Sequence, residues 1–234
     1  MSGHSKWATT KRQKAAVDAK RSSLFTKFSK NISIAARDGA DSTSNFKLRI
    51  AIDQARAVSM PKDNIERAIA RGSGGSGGAQ LEHILYEGYG PEGLALIIET
   101  ITDNKNRTIS EVKHYFSKNG GNLAGNGSVS WMFDERGVIT VSDKALSEEQ
   151  ELALIDHGLL DVRKNEGITL ITERGKLQEA KEAAEALGLS VGEASLAYMP
   201  KDAVVPKDSE RLTSFLDGLD DLDDVNTIYT NADI

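Results

Sequence analysis

Residues 73–78 read Ser73-Gly74-Gly75-Ser76-Gly77-Gly78, a run through which neither a helix nor a strand is expected to pass. Glycine loses the most backbone freedom on ordering, and serine brings no apolar surface to offset that loss. The chain is therefore expected to fold as at least two bodies joined by a flexible linker. The run is no P-loop, because no Gly-Lys-Ser/Thr follows it and no strand leads into it.

The two sides of this linker differ sharply in charge. Residues 1–78 hold 15 Lys and Arg against 6 Asp and Glu, leaving 14 against 29 for the remainder of a chain with net charge -6. Such a division suggests a polyanion-binding module joined to a body that does not bind polyanions. The candidate contacts are Lys6, Lys11, Arg12, Lys14, Lys20, Arg21, Lys27 and Lys30, interleaved with Trp7, Phe25 and Phe28. A solvated helix face is the plain alternative for the cations. Trp7 could stack on a base, but anchoring a core is the favoured reading of it. The first dozen residues lack apolar periodicity, as expected of an arm that orders on a polyanion.

Composition excludes several classes. There is no cysteine, hence no disulfide, thiolate metal site or Cys nucleophile. No apolar run approaches the roughly 20 residues that span a bilayer, and a cytoplasmic location is expected.

Residues 1–78 are expected to form a three-helix domain. Val17, Leu24, Phe28, Ile32 and Ala35 share one helical stripe between residues 14 and 37, with Lys20, Lys27, Lys30 and Arg37 on another. Asp38-Gly39 ends this helix. A second helix over residues 46–58 offers Leu48, Ile52 and Ala55 to the core, and a third starts near Pro61 and packs Ile65, Ala68 and Ile69. The last two could also be taken for a helix-turn-helix DNA reader, although no Arg, Asn or Gln stands out at base-reading positions.

Beyond the linker, residues 84–89 and 94–102 read as strands about the turn Gly90-Pro91-Glu92-Gly93. After the turn at residues 103–107, Thr108-Ile109-Ser110-Glu111 reads as a capping box whose helix turns Ile109, Val112 and Phe116 inward. A strand over residues 122–133 is interrupted by Gly125-Asn126-Gly127. From Gly137 a β-α-β-β-α-β series follows: a strand at 138–141, a helix capped by Ser147 and carrying Leu152 and Ile155, strands at 160–163 and 168–172, a helix with Leu177, Ala180, Ala184 and Leu187, and a last strand over 189–198. A helix after Pro206 and a strand at 225–229 cannot stand alone, so they are expected to complete the earlier α/β unit. The expected class is α+β: a three-helix domain (residues 1–78) plus two α/β, ferredoxin-like domains, one (135–205) inserted in the other (79–134 with 206–234).

Five segments together resemble one family, in order and over essentially the whole chain. They are Gly3-His4-Ser5-Lys6-Trp7, Met60-Pro61-Lys62-Asp63-Asn64-Ile65-Glu66-Arg67-Ala68-Ile69, Tyr86-Glu87-Gly88-Tyr89-Gly90-Pro91, Asp103-Asn104-Lys105-Asn106-Arg107-Thr108 and Gly120-Gly121-Asn122-Leu123. The chain resembles the YebC/PmpR family, which includes bacterial proteins described as probable transcriptional regulators and a mitochondrial translational activator. The resemblance implies an N-terminal helical bundle and two α/β domains, one inserted. Lys105 stands where members often have Arg, which keeps the charge but weakens bidentate phosphate binding. Lys105 and Arg107 are candidate secondary contacts.

Nothing in the sequence assembles catalysis. Asp103, Asn104, Asn106, Arg107 and Glu111 lack an identifiable general acid and base, and an Asx-rich turn accounts for them. His4, His83, His114 and His157 are scattered without ligand spacing, so neither a metal nor a cofactor is expected. The run Asp220-Asp221-Leu222-Asp223-Asp224 lacks the alternation of a calcium loop and reads as a solvated acidic helix end. The expected function is that of a non-enzymatic, nucleic-acid-binding regulator of gene expression, of the DNA-binding transcriptional type. A ribosome- or RNA-associated translation factor is the alternative, and a protein-interaction module whose basic end contacts an acidic partner, without direct nucleic-acid contact, is the third class; the acidic domains are candidate docking surfaces for the ribosome or the transcription machinery.

Overall fold

A computed structural model describes residues 18–74, 81–164 and 167–233 of the chain. They fall into two compact units, one from residues 18–134 with 199–233 and the other from 135–198. Most of the linker expected at residues 73–78 lies outside the described residues.

The first unit begins with α1 (Asp18–Ala35), α2 (Phe46–Ala57) and α3 (Lys62–Gly72). Their apolar faces meet in one core that includes Phe28, Ile32, Leu48, Ile52, Ala55, Ile65 and Ala68. Asn45 joins two of these helices. Its side-chain oxygen accepts from Leu48 N at 3.1 Å as the cap of α2, while Nδ2 donates to Ala35 O and Gly39 O, both at 2.7 Å. At the far end of α3, Gly72 lies so close to α1 that a Cβ there would stand 2.1 Å from Ser33 O. Only glycine allows the two backbones to meet this closely.

The same unit holds an antiparallel sheet of β1 (Glu82–Tyr89), β2 (Ala95–Thr102), β3 (Asn122–Ala124) and β8 (Val225–Thr230), in the order β3-β1-β2-β8. β1 and β2 form the central hairpin from Glu82↔Thr102 to Tyr89↔Ala95. Two helices, α4 (Lys105–Lys118) and α7 (Ser209–Asp220), pack against it. Their core joins Val112 and Phe116 of α4 to Leu212, Phe215, Leu216 and Leu219 of α7, under Leu96 and Ile98 of β2. Phe116 and Phe215 meet edge to face with centroids 5.3 Å apart. Each such side chain contributes about 1.5–3 kcal/mol by leaving water.

The second unit contains β4 (Phe133–Val141), α5 (Glu148–Ile155), β5 (Leu159–Lys164), β6 (Ile168–Glu173), α6 (Leu177–Ala186) and β7 (Val191–Pro200). Its strand order, β5-β6-β4-β7, is that of a ferredoxin-like sheet. Ser147 and Gln150 close a reciprocal capping box at the start of α5. The chain is thus α+β, with two four-stranded antiparallel sheets among the described residues. No helix among them is long and apolar enough to cross a membrane.

Several local expectations are corrected. α4 begins at Lys105, not at Thr108, because Asn104 caps it by accepting from Arg107 N. Thr108 then falls on the buried side and Ile109 turns outward. The expected strand over 122–133 is only β3, followed by a loop and a 3₁₀ turn at Ser130–Met132; β4 starts at Phe133, well before Val138. On α5 it is Leu154 that is buried, whereas Leu152 and Ile155 face solvent.

Candidate nucleic-acid interface

α1 presents Lys27 and Lys30 one turn apart, and both are already engaged. Lys27 Nζ lies 3.1 Å from Asp220 Oδ1 and donates to Asp220 O at 2.7 Å. Lys30 Nζ lies 2.9 Å from Asp224 Oδ1 and donates to Asp223 O at 2.9 Å. The lysine side chains are only 13% and 17% exposed. The acidic run at the end of α7 is therefore only in part the solvated helix end read from the sequence: Asp221 and Asp223 are exposed, whereas Asp220 and Asp224 are taken up by the lysines. One helical turn of cations faces two carboxylates, Asp220 at the end of α7 and Asp224 in the turn that follows it.

Asp224 is the centre of this contact. Its side chain is 5% exposed, and Arg107 Nη2 reaches its Oδ2 at 2.8 Å while also meeting Asp103 Oδ1 at 3.0 Å. The Thr108 and Thr102 hydroxyls approach the same Oδ2 at 2.7 and 3.1 Å. Burial pushes the Asp224 carboxyl up, but hydrogen bonds from Arg107, Lys30 and Thr108 outweigh it and hold the pKa at about 2. Arg107 is thus committed to carboxylates, whereas Lys105 is exposed at the start of α4. This polar group ties α1, α4 and the turn into β8 together.

A second buried carboxylate shapes the end of the sheet. Glu87, on β1, accepts from Gly127 N at 2.8 Å, Val129 N at 2.7 Å and Ser130 N at 2.9 Å. Burial opposes its ionised form, yet these backbone donors prevail and lower its pKa. Tyr89 Oη and Trp131 Nε1 both donate to Ser128 O at 3.0 Å. The loop over residues 125–131 is therefore held from several sides, and it carries Trp131 with 64% of its surface in solvent.

Lys6, Trp7, Lys11, Arg12 and Lys14 lie outside the described residues. Lys20 and Arg21 fall within α1, but their side chains lie outside them as well. On α3, Lys62 pairs with Glu66 at 3.4 Å, Arg67 bonds the Asn64 side chain, and Asp63 and Glu66 are exposed beside them. Among the described residues no three His, Asp or Glu side chains are grouped to hold a metal. The sequence names Asp224 only within an acidic run and Glu87 only within a family segment, without their roles, and does not single out Trp131. The one available signal was that Lys27 and Lys30, like Asp220 and Asp224, are spaced by about one helical turn.

Comparison with known proteins decides the family. Residues 5–75 match the family described as TACO1/YebC protein N-terminal domain, and residues 81–232 match TACO1/YebC second and third domain. The chain belongs to the TACO1/YebC family. Among its relatives in this family, the probable transcriptional regulatory protein of Caldanaerobacter subterraneus is 45% identical, over 100% of this chain and 99% of that one. A protein of the same description from Chlorobaculum tepidum is 47% identical, over 100% and 96%. A crystal structure of a conserved hypothetical protein from Aquifex aeolicus aligns with TM-score 0.83 at 41% identity, covering 94% of this chain and 93% of that one. The TACO1/YebC fold is thus shared along nearly the full length.

Proposed function

We propose that this TACO1/YebC protein is a non-enzymatic regulator of gene expression that binds nucleic acid through its basic N-terminal module. The observation that carries this reading is the division of charge, 15 basic against 6 acidic residues before residue 79 and 14 against 29 after it. The relatives named probable transcriptional regulatory proteins support a regulatory role. We assign the polyanion contact to Lys6, Lys11, Arg12, Lys14, Lys20 and Arg21, with Trp7 beside them. Lys27 and Lys30, held by Asp220 and Asp224, instead seat the module on the sheet.

Duplex DNA is the first target class, as the relatives' names suggest. RNA, free or in the ribosome, is the second, and one observation favours it. The first turns of α3, where a helix-turn-helix protein reads bases, expose Asp63 and Glu66. Carboxylates there repel the phosphates of a duplex, while contacts by flexible lysines and arginines carry no demand for duplex geometry.

The test is a salt series of binding to duplex DNA and to RNA, with wild type and the K6Q/K11Q/R12Q/K14Q variant. The variant's log K against log[salt] should flatten by about 0.9 per lost duplex phosphate, or about 0.7 on a single strand. An unchanged slope rejects the assignment, and the nucleic acid bound more tightly identifies the target class.

A further inference from the structure

In a chain with 35 acidic residues among 234, residues 112–133 contain none. This stretch covers most of α4, the turn Gly120-Gly121-Asn122, the strand β3 and the loop held by Glu87. It contributes Lys113, His114 and Lys118, all exposed. The turn at its centre draws in another cation: a Cβ on Gly120, whose φ is +81°, would stand 2.8 Å from Arg211 Nη2. Lys118 and Arg211 therefore flank the start of β3, which is an edge strand of the sheet. Three strand residues, roughly 10 Å, then lead to the loop with the exposed Asn126 and Trp131.

Trp131 is unusual in being both exposed and fixed. A ring left largely in water gains nothing from the core, so packing does not explain its place. Its indole N–H is bound to Ser128 O, and the backbone below is pinned by Glu87. Lys201 donates to Trp131 O at 2.8 Å and lies 3.8 Å from Asp134, so the carboxylate that ends the acid-free stretch is accompanied by a cation. A pre-oriented aromatic face, an amide side chain and cations at the far end of a stretch that itself contributes no carboxylate are the parts with which proteins hold unpaired nucleotides.

We propose that this strip is a second nucleic-acid site, for single-stranded RNA, in which a base stacks on Trp131 and phosphates reach Lys118 and Arg211. It rests on the nucleic-acid-binding reading above and extends it by separating two jobs: the N-terminal module supplies charge, and the strip selects unpaired bases. Duplex DNA, whose bases are stacked on one another, offers nothing for the ring.

The full-length chain carries the test, with a mixed-sequence 12-nucleotide single-stranded RNA and a DNA duplex as probes. Trp131→Ala should weaken binding of the RNA by about 5- to 150-fold, the span for one stacked base, and leave duplex binding unchanged. Trp131→Phe should retain most of the RNA affinity, and K118Q/R211Q should lower the salt slope on RNA. Thermal melting should be unaffected by either Trp131 change, since the ring is outside the core. Equal RNA affinity of wild type and Trp131→Ala overturns the site while leaving the N-terminal reading intact; so does a loss confined to capture of a protein partner, which marks a protein-docking loop. A wild type that binds neither probe removes both readings together.

Discussion

Lys30 and Asp224 stand 194 positions apart in the chain and meet at 2.9 Å. The contact is an economical way to fix a basic helix to an acidic body, because one shielded carboxylate receives Lys30, Arg107 and two threonine hydroxyls. Asp224→Asn removes the charge while keeping the shape, leaving Lys30 half-satisfied in a shielded position. The expected loss is about 2 kcal/mol, readable as a lower denaturant midpoint.

The same group sets an acid limit. Asp224 titrates at about 2 in the folded chain, below the roughly 3.9 of an unfolded aspartate. Its contribution is therefore complete above the unfolded value and disappears as the pH falls from near 4 through the folded value. The melting temperature of wild type should fall more steeply across that window than that of Asp224→Asn; parallel curves would assign the acid sensitivity to other carboxylates.

Gly72→Ala opposes two effects of different size. Alanine improves helix propensity by about 1 kcal/mol. Yet its Cβ would stand 2.1 Å from Ser33 O and 2.8 Å from Ser33 C, backbone atoms that cannot rotate away. The clash should win, and the α1–α3 contact should loosen by about 1–3 kcal/mol. A stabilised variant in thermal melts would refute the close approach.

Glu87→Ala withdraws the acceptor from three backbone donors at once. Amide hydrogen exchange should accelerate at Gly127, Val129 and Ser130 specifically, with a global loss of about 1.5–3 kcal/mol. Unchanged protection at those amides would mean the loop holds itself.

Asn45→Ala should cost more than an ordinary cap. The usual penalty is about 1 kcal/mol, but Asn45 also satisfies Ala35 O and Gly39 O at the end of α1. About 2 kcal/mol or more is expected in chemical denaturation, because two helix ends lose their partner together.

The elements that could be read from the sequence are those specified by near neighbours. The stripe through Leu24, Phe28, Ile32 and Ala35, the box at Ser147 and the β1–β2 hairpin all follow from spacing within about twenty residues. The misreadings share a cause at longer range. Thr108 resembles a cap because its local pattern fits one, but its hydroxyl is drawn into the Asp224 group, and that placement turns Ile109 to solvent. The run ending in Asp224 looks solvated because its neutralising partners lie on α1 and α4, far away in sequence. Trp131 carries no local mark of exposure. Its setting depends on Glu87, more than forty residues earlier.

The pairing of β2 with β8 has a consequence for biosynthesis. β2 is almost entirely buried and begins with the apolar run Ala95-Leu96-Ile97-Ile98, yet one of its edges stays open until Val225–Thr230 has been made, 123 residues after Thr102. At about 5–20 residues per second, a nascent chain waits roughly 6–25 s with that edge unpaired, and an apolar edge is a template for pairing with the wrong strand. The ferredoxin-like unit emerges complete during this interval. Early release of the chain should therefore yield an aggregation-prone fragment.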